Sequence, residues 1–238
     1  MNVLAKPAAP PRTPDGWVAG ETQRLVLQDV PWQSYVAIGD ALPNRPGLRM
    51  TYDRGTLEFM TTSPEHEKYK VRLARLLEVL VEECGLRFEP MGNMTMRREE
   101  LERGLEPDEC FWIANEAHMR ARLDWDPTHD PPPDLAIEIE ISRSALNRMG
   151  IYAALRVPEV WRCDGATLRA HLLQPDGSWQ ASETSPTFPR APLAGIVPFL
   201  RPSETVDYLG MIRGFRAWVR EQRGTAVTGR PSAVCPSL

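Results

Sequence analysis

The chain has 238 residues, 42% of them hydrophobic, which is enough to bury one full core. A formal charge of −4 and an isoelectric point near 5.7 argue against a protein that coats nucleic acid through a broadly basic face, while leaving room for a local basic groove. No run reaches the roughly 18 apolar residues of a membrane span, no apolar leader opens the chain, and Cys84, Cys110, Cys163 and Cys235 form no CxxC or Cys/His cluster, so the expectation is a cytoplasmic protein with reduced thiols and no membrane partner.

Residues 1–30 are rich in Pro, Ala, Gly and Thr without sustained periodicity and read as a flexible N-terminal arm; 31–222 read as a single domain and 223–238 as a flexible tail. RMTYDRGTLEFMTT predicts a hairpin, with Tyr52, Leu57 and Phe59 around an Asp53-Arg54-Gly55 turn. SPEHEKYKVRLARLLEVLVEECG predicts the strongest helix. Ser63 caps it, Pro64 suits its first turn, Glu65 and Glu67 sit near its positive end, and Gly85 ends it. Val71, Leu73, Leu76, Leu77 and Leu80 form its apolar stripe.

Short strand-like runs follow at LRFEP, NMTMR, ECFWI and DLAIEIEIS. SALNRMGIYAALR predicts a helix capped by Ser142 or Ser144, with Leu146, Met149, Ile151, Tyr152 and Leu155 partly buried. VPEVWRCDGATLRAHLLQPDGSWQ predicts a meander of two or three strands turning at Asp164-Gly165 and Pro175-Asp176-Gly177, and TVDYLGMIRGFRAWVREQ an amphipathic closing helix. Hairpin, helix, strands, helix, strands and helix in this order predict an α/β protein with a mixed β-sheet flanked by helices.

DLAIEIEIS carries the chemistry. In a strand, Asp134, Glu138 and Glu140 share one face while Leu135, Ile137, Ile139 and Ile141 share the other, which belongs in the core. Glu138 and Glu140 would lie roughly 7 Å apart and repel by about 2.4 kcal/mol at an effective dielectric near 20, against about 0.6 kcal/mol in water. A solvated acidic face costs little; the same face lining a cleft needs a cation or a raised pKa. A second acidic strand start, GLEPDECFWI, places Asp108 ahead of Cys110, Phe111, Trp112 and Ile113. It precedes Glu138 by enough chain to return in a neighbouring strand, and carboxylates converging from two strands are what Mg²⁺ or Mn²⁺ binds.

The succession LRMTYDRGTLEFMTTSPEHEKYK, GLEPDECFWI and PPPDLAIEIEIS…IYAALRVPEVWRCDG, running in order from about Trp32 to about Trp218, resembles the Uma-type restriction endonuclease family of the PD-(D/E)XK nuclease superfamily. The resemblance implies a restriction-endonuclease-like core and a metal-dependent endonuclease acting on DNA, with Asp108 and Glu138 as ligands of Mg²⁺ or Mn²⁺. Asp134 matches a second proline-aspartate pair of structural use. Glu67 matches a recurring glutamate that completes the metal site, or else serves as a first-turn acid on the helix dipole. Glu140, which stands where the superfamily usually has lysine, is the alternative to Glu67 for completing the metal shell or orienting water. Lys6, Lys68 and Lys70 are the only lysines, so no lysine lies beyond residue 70. In the family that lysine commonly moves to the following helix, four residues before a tyrosine, and the position is Arg148 here. Arg148 either holds the scissile phosphate or simply pairs with Glu138 or Glu140. The alternative to an active enzyme is a catalytically inactive nuclease fold that binds nucleic acid or a protein partner. Many nucleases that cut both strands work as symmetric homodimers.

The remaining candidates read as structural. His66, His118, His129 and His171 lack paired ligand spacing and are assigned surface or capping roles. Asp124, Asp126 and Asp130 sit in a proline-held loop, and Trp112, Trp161 and Trp218 fall in apolar runs suited to the core. Arg97, Arg98, Arg143, Arg148 and Arg156 are candidates to flank the site and contact phosphates. There is no Gly-rich phosphate loop and no GxSxG turn, which disfavours nucleotide-dependent and serine-hydrolase chemistry.

Overall fold

A computed structural model describes residues 22–42, 47–141 and 143–224. In chain order the elements are β1 (Arg24–Leu27), α1 (Trp32–Ala41), β2 (Leu48–Asp53), β3 (Thr56–Thr61), α2 (Pro64–Cys84), β4 (Glu89–Pro90), β5 (Met96–Arg98), β6 (Arg103–Leu105), β7 (Glu109–Trp112), α3 (Glu116–Met119), β8 (Leu135–Ile139), α4 (Arg148–Ala154), β9 (Glu159–Cys163), β10 (Leu168–Leu173), β11 (Trp179–Ser182), α5 (Val197–Leu200) and α6 (Tyr208–Gly224). The expected α/β fold with helices flanking the strands is present, but the strands divide into two sheets. One is five-stranded and antiparallel, in the order β1-β3-β2-β6-β5. The other is six-stranded, in the order β11-β10-β9-β8-β7-β4, and is mixed because β8 and β9 run parallel.

Local chemistry accounts for the best-defined elements. The β2–β3 hairpin turns through Arg54 and Gly55, both at positive φ (44° and 88°), as the tight turns that match strand twist require. In α2 the Ser63 hydroxyl accepts from the His66 N–H at 3.1 Å, Pro64 occupies the first turn, and Gly85 closes the helix in the left-handed region at φ 67°. Val71 is an exception to the predicted stripe: it is exposed, while Val79 and Val81 are buried beside Leu73, Leu76, Leu77 and Leu80. Part of the segment assigned to the N-terminal arm is a strand. Arg24–Leu27 pairs along the free edge of β3, so residues 24–27 belong to the sheet, whereas residues 1–21 and 225–238 lie outside the described residues.

The six-stranded sheet is covered on both faces. Leu135, Ile137 and Ile139 of β8 and Trp161 of β9 pack against Leu73, Leu76, Leu77 and Leu80 of α2, with Phe215 of α6 in the same core. On the other face Ala136, Cys110, Trp112 and Val160 meet Ile151, Tyr152 and Leu155 around α4, together with Met96 and Leu105 of the five-stranded sheet. Of the two settings the sequence left open for the acidic face, that second layer gives Glu138 the cleft and not open water: all five residues of β8 are buried. Parallel pairing with β9 needs a crossover, the crossover contains α4, and α4 covers the face that carries Glu138. A third cluster, Trp32, Tyr35, Met50, Tyr52 and Leu57, seats α1 on the five-stranded sheet.

Candidate active site

The antiparallel register of β7 and β8 pairs Cys110 with Ala136 and Glu109 with Ile137. Asp108, just before β7, is tied beside Glu138 by its N–H to the Ile137 carbonyl at 3.1 Å and by the Ile139 N–H to its carboxylate at 2.7 Å. Both acids are buried, at 4% and 7% exposure, on the floor of a cleft of about 300 Å³. The cleft is lined from the five-stranded sheet by Arg49, from α2 by His66, from β8 and its end by Glu138 and Glu140, and from the segment entering α4 by Arg143, Asn147 and Arg148. Arg162 of β9 completes the charged lining.

Each carboxylate is engaged by a cation. Arg148 donates to Glu138 through Nε at 3.0 Å and Nη2 at 2.5 Å, and its remaining contacts are Nη1 to Thr51 Oγ1 and Nη2 to the Glu106 carbonyl, both at 2.7 Å. The Tyr152 hydroxyl donates to Glu138 as well. Burial and the nearby Asp108 charge push the Glu138 carboxyl up, opposed by Arg148 and Tyr152. Burial also pushes the Tyr152 phenol well up, so it remains a donor. Burial alone would lower Arg148, but Glu138, Tyr152 and Asp108 together outweigh that cost and hold it above its usual value.

Asp108 Oδ2 accepts the Ile139 N–H at 2.7 Å and faces His66 Nε2 at 3.1 Å. Burial alone would lower the His66 pKa, but the hydrogen bond with Asp108 and the charge of Glu67 raise it to about 9, so the ring is cationic at neutral pH. Despite its own burial Asp108 is held below the usual carboxylate range by that imidazolium, the Ile139 N–H and Arg148. His66, only 2% exposed, is therefore neither a surface nor a simple capping residue, which corrects the expectation from its spacing. Its partner is 42 residues away in the chain, so only the fold reveals the pair.

Glu67 stands 3.5 Å from His66 Nδ1 and 3.8 Å from Lys70, and the His66 ring is the main reason its pKa falls to about 2. It neighbours the imidazolium rather than Glu138. Glu140 is clamped by Arg162 through two hydrogen bonds of 2.7 Å. Asp134 accepts from the Ile113 and Asn115 N–H groups at 2.7 and 3.0 Å and so holds the loop after β7. Of the predicted flanking arginines only Arg143 and Arg148 line the cleft. Arg97 and Arg98 lie on β5 and pair with Asp40 and Glu100, and Arg156 is exposed beyond α4. Arg49 is a cleft residue that the sequence did not single out.

The predicted metal set does not fit as these side chains are paired. Three of the four oxygens of Asp108 and Glu138 already accept hydrogen bonds, and the fourth, Asp108 Oδ1, faces Arg49 at 3.8 Å. Among the described residues no group of three or more His, Cys, Asp and Glu side chains converges as a metal site. Nor, among them, is any helix long and apolar enough to cross a membrane.

The Uma2 family model, described as "Putative restriction endonuclease", matches residues 32–199, most of the chain, and the chain belongs to this family. Nothing among curated proteins matches. A solved structure from Anabaena variabilis ATCC 29413, titled as a putative nuclease belonging to DUF820, is 12% identical over 80% of this chain and 99% of its own, with a TM-score of 0.48.

Proposed function

We propose that this Uma2 chain is an endonuclease that hydrolyses phosphodiester bonds of DNA in the cleft between β8 and the start of α4, with Asp108 and Glu138 as its acidic pair. The carrying observation is the cross-strand placement of those two acids on the floor of a cleft that offers five cationic side chains against three carboxylates. Such a cleft draws in a polyanion although the chain as a whole is acidic. His66, kept protonated by Asp108, supplies positive charge and a proton where charge develops on a reacting phosphate. Glu67 steadies the far side of the same ring, and Arg148 fixes the Glu138 carboxylate.

Divalent-ion dependence is a separate part of this reading. For Mg²⁺ or Mn²⁺ to reach Glu138, Arg148 has to release it, and that same ion pair favours the second reading, a catalytically silent nuclease fold that binds DNA. The test is cleavage of supercoiled plasmid and of single-stranded DNA with Mg²⁺, with Mn²⁺ and with a chelator. Glu138→Gln and Asp108→Asn serve as folded controls checked by circular dichroism. The expected result is cleavage by the wild-type chain that both variants abolish. Cleavage that survives Glu138→Gln sinks the proposed site, and cleavage seen only after Arg148→Lys assigns the natural chain to the silent reading.

A further inference from the structure

The cleft cations can be matched to carboxylates one by one. Arg148 holds Glu138, Arg162 holds Glu140 and His66 holds Asp108. Glu67 and Glu109, behind the floor, share Lys70, which stands 3.8 Å from each. Two guanidiniums are left over. Arg143 is exposed at the mouth and makes no ion pair or side-chain hydrogen bond among the described residues. Arg49 is 5% exposed, its Nε is buried with no hydrogen-bond partner, and its nearest carboxylate oxygen, Asp108 Oδ1, is 3.8 Å away, too far for a hydrogen bond.

A buried guanidinium N–H without an acceptor is costly unless something arrives to accept it, and a planar fork of donors suits the oxygens of a phosphate. Arg49 is on β2, Arg143 on the segment after β8, and both open onto the same space. We propose that the cleft holds a phosphate group between Arg49 on its floor and Arg143 at its mouth, leaving Arg148 as an internal brace. This deepens the DNA reading of the same cleft and rests on it, because it names the residues that grip the backbone of the substrate.

Binding without turnover separates the two claims. The affinity of a fluorescein-labelled 20-base-pair duplex is followed by anisotropy in chelator across a salt series, for wild type, Arg143→Ala, Arg49→Gln and Arg49→Lys. Inorganic phosphate, read by its effect on melting temperature, is the second probe. Arg143→Ala is expected to weaken duplex binding about threefold and Arg49→Gln about tenfold, each lowering the salt slope by about one, with partial recovery in Arg49→Lys. Arg143 is exposed, so its variant keeps the test intact if the buried position disturbs folding. Duplex affinity that falls in the variants identifies a backbone phosphate. Stabilisation by inorganic phosphate that the variants lose, with duplex binding unchanged, identifies a free phosphate instead. If neither probe responds to either arginine, the phosphate site is wrong. Variants that bind and cut like wild type overturn the site and leave the nuclease reading standing; weakened binding in a chain that never cuts does the reverse.

Discussion

Arg148 grips Glu138 with two hydrogen bonds, of 3.0 and 2.5 Å, and with its remaining contacts reaches Thr51 on the other sheet and the Glu106 carbonyl. One side chain thus joins β8, β2 and the segment before β7 in a buried place. Removing a single partner of a buried pair leaves the other charge uncompensated, which typically costs about 3–5 kcal/mol, whereas replacing both by apolar groups is far milder. Arg148→Met should therefore lower the melting temperature by about 6–20 °C, since each kcal/mol shifts a domain of this size by about 2–4 °C. The double variant Arg148→Met/Glu138→Met should lose less than the sum of the two single changes. Strict additivity in a double-mutant cycle would show that the two residues do not act as a unit.

The His66–Asp108 pair ties stability to pH. The folded state raises the imidazole from 6.5 to about 9. A group whose pKa rises on folding stabilises fully below its unfolded value and loses that contribution as pH climbs through the folded one, so the window is about 6.5 to 9. The contribution is at most about 3 kcal/mol. Melting temperature should fall across that window by up to about 10 °C in the wild-type chain and stay nearly level in His66→Gln. A direct check is the ring nitrogen chemical shift of His66: titration at or below pH 6.5 would contradict the pairing.

Signals carried by neighbours in sequence were legible, and those created by distant contacts were not. Asp53-Arg54-Gly55 announced its turn because two positive-φ residues are needed there, and Ser63 and Gly85 marked the ends of α2 by capping chemistry. Asp108 and Glu138 could be named from their local sequence, while the hydrogen bonds that tie Asp108 to the residues on either side of Glu138 came from the fold. Arg24–Leu27 has no strand signature of its own and is ordered by the edge of β3. His66 and Arg49 depend on Asp108 approaching from residues far along the chain. The alternation of β8 was read correctly, but whether its acidic face meets water or lines a cleft stayed open; the α4 crossover demanded by parallel pairing buries Glu138, while Asp134 and Glu140 at the strand ends are half-buried.

Glu58 anchors the rim of the cleft. It is 1% exposed on β3, accepts from Arg24 Nε at 2.9 Å and the Ala145 N–H at 2.8 Å, and takes the Ser144 hydroxyl as well. The five-stranded sheet thereby holds the segment that leads Arg143 and Arg148 to their places. Glu58→Gln keeps the shape and one acceptor but loses the charge, and is expected to destabilise by about 1–3 kcal/mol. Amide exchange at Ala145 should accelerate about tenfold or more while the α2 core amides change only with global stability. Unchanged protection at Ala145 would mean the segment is held by something other than Glu58.

Helix α4 has seven residues, too few to persist on local propensity, and yet it carries Arg148 and Tyr152 into the site. Its start is fixed by Asn147, whose side-chain oxygen accepts the Gly150 N–H at 3.0 Å, and not by the serines expected from the sequence: Ser144 lies three residues earlier and Ser142 falls outside the described residues. Asn147→Ala should cost about 1 kcal/mol. Gly150→Ala, which in an open helix gains about 0.5–1 kcal/mol, would place its methyl 2.9 Å from Asn147 Nδ2 and press on the cap. The single change should therefore be neutral or harmful in the intact chain and favourable once Asn147 is alanine. Urea midpoints of the four chains in that cycle decide it: a stabilising Gly150→Ala in the presence of Asn147 would show that the cap yields without loss.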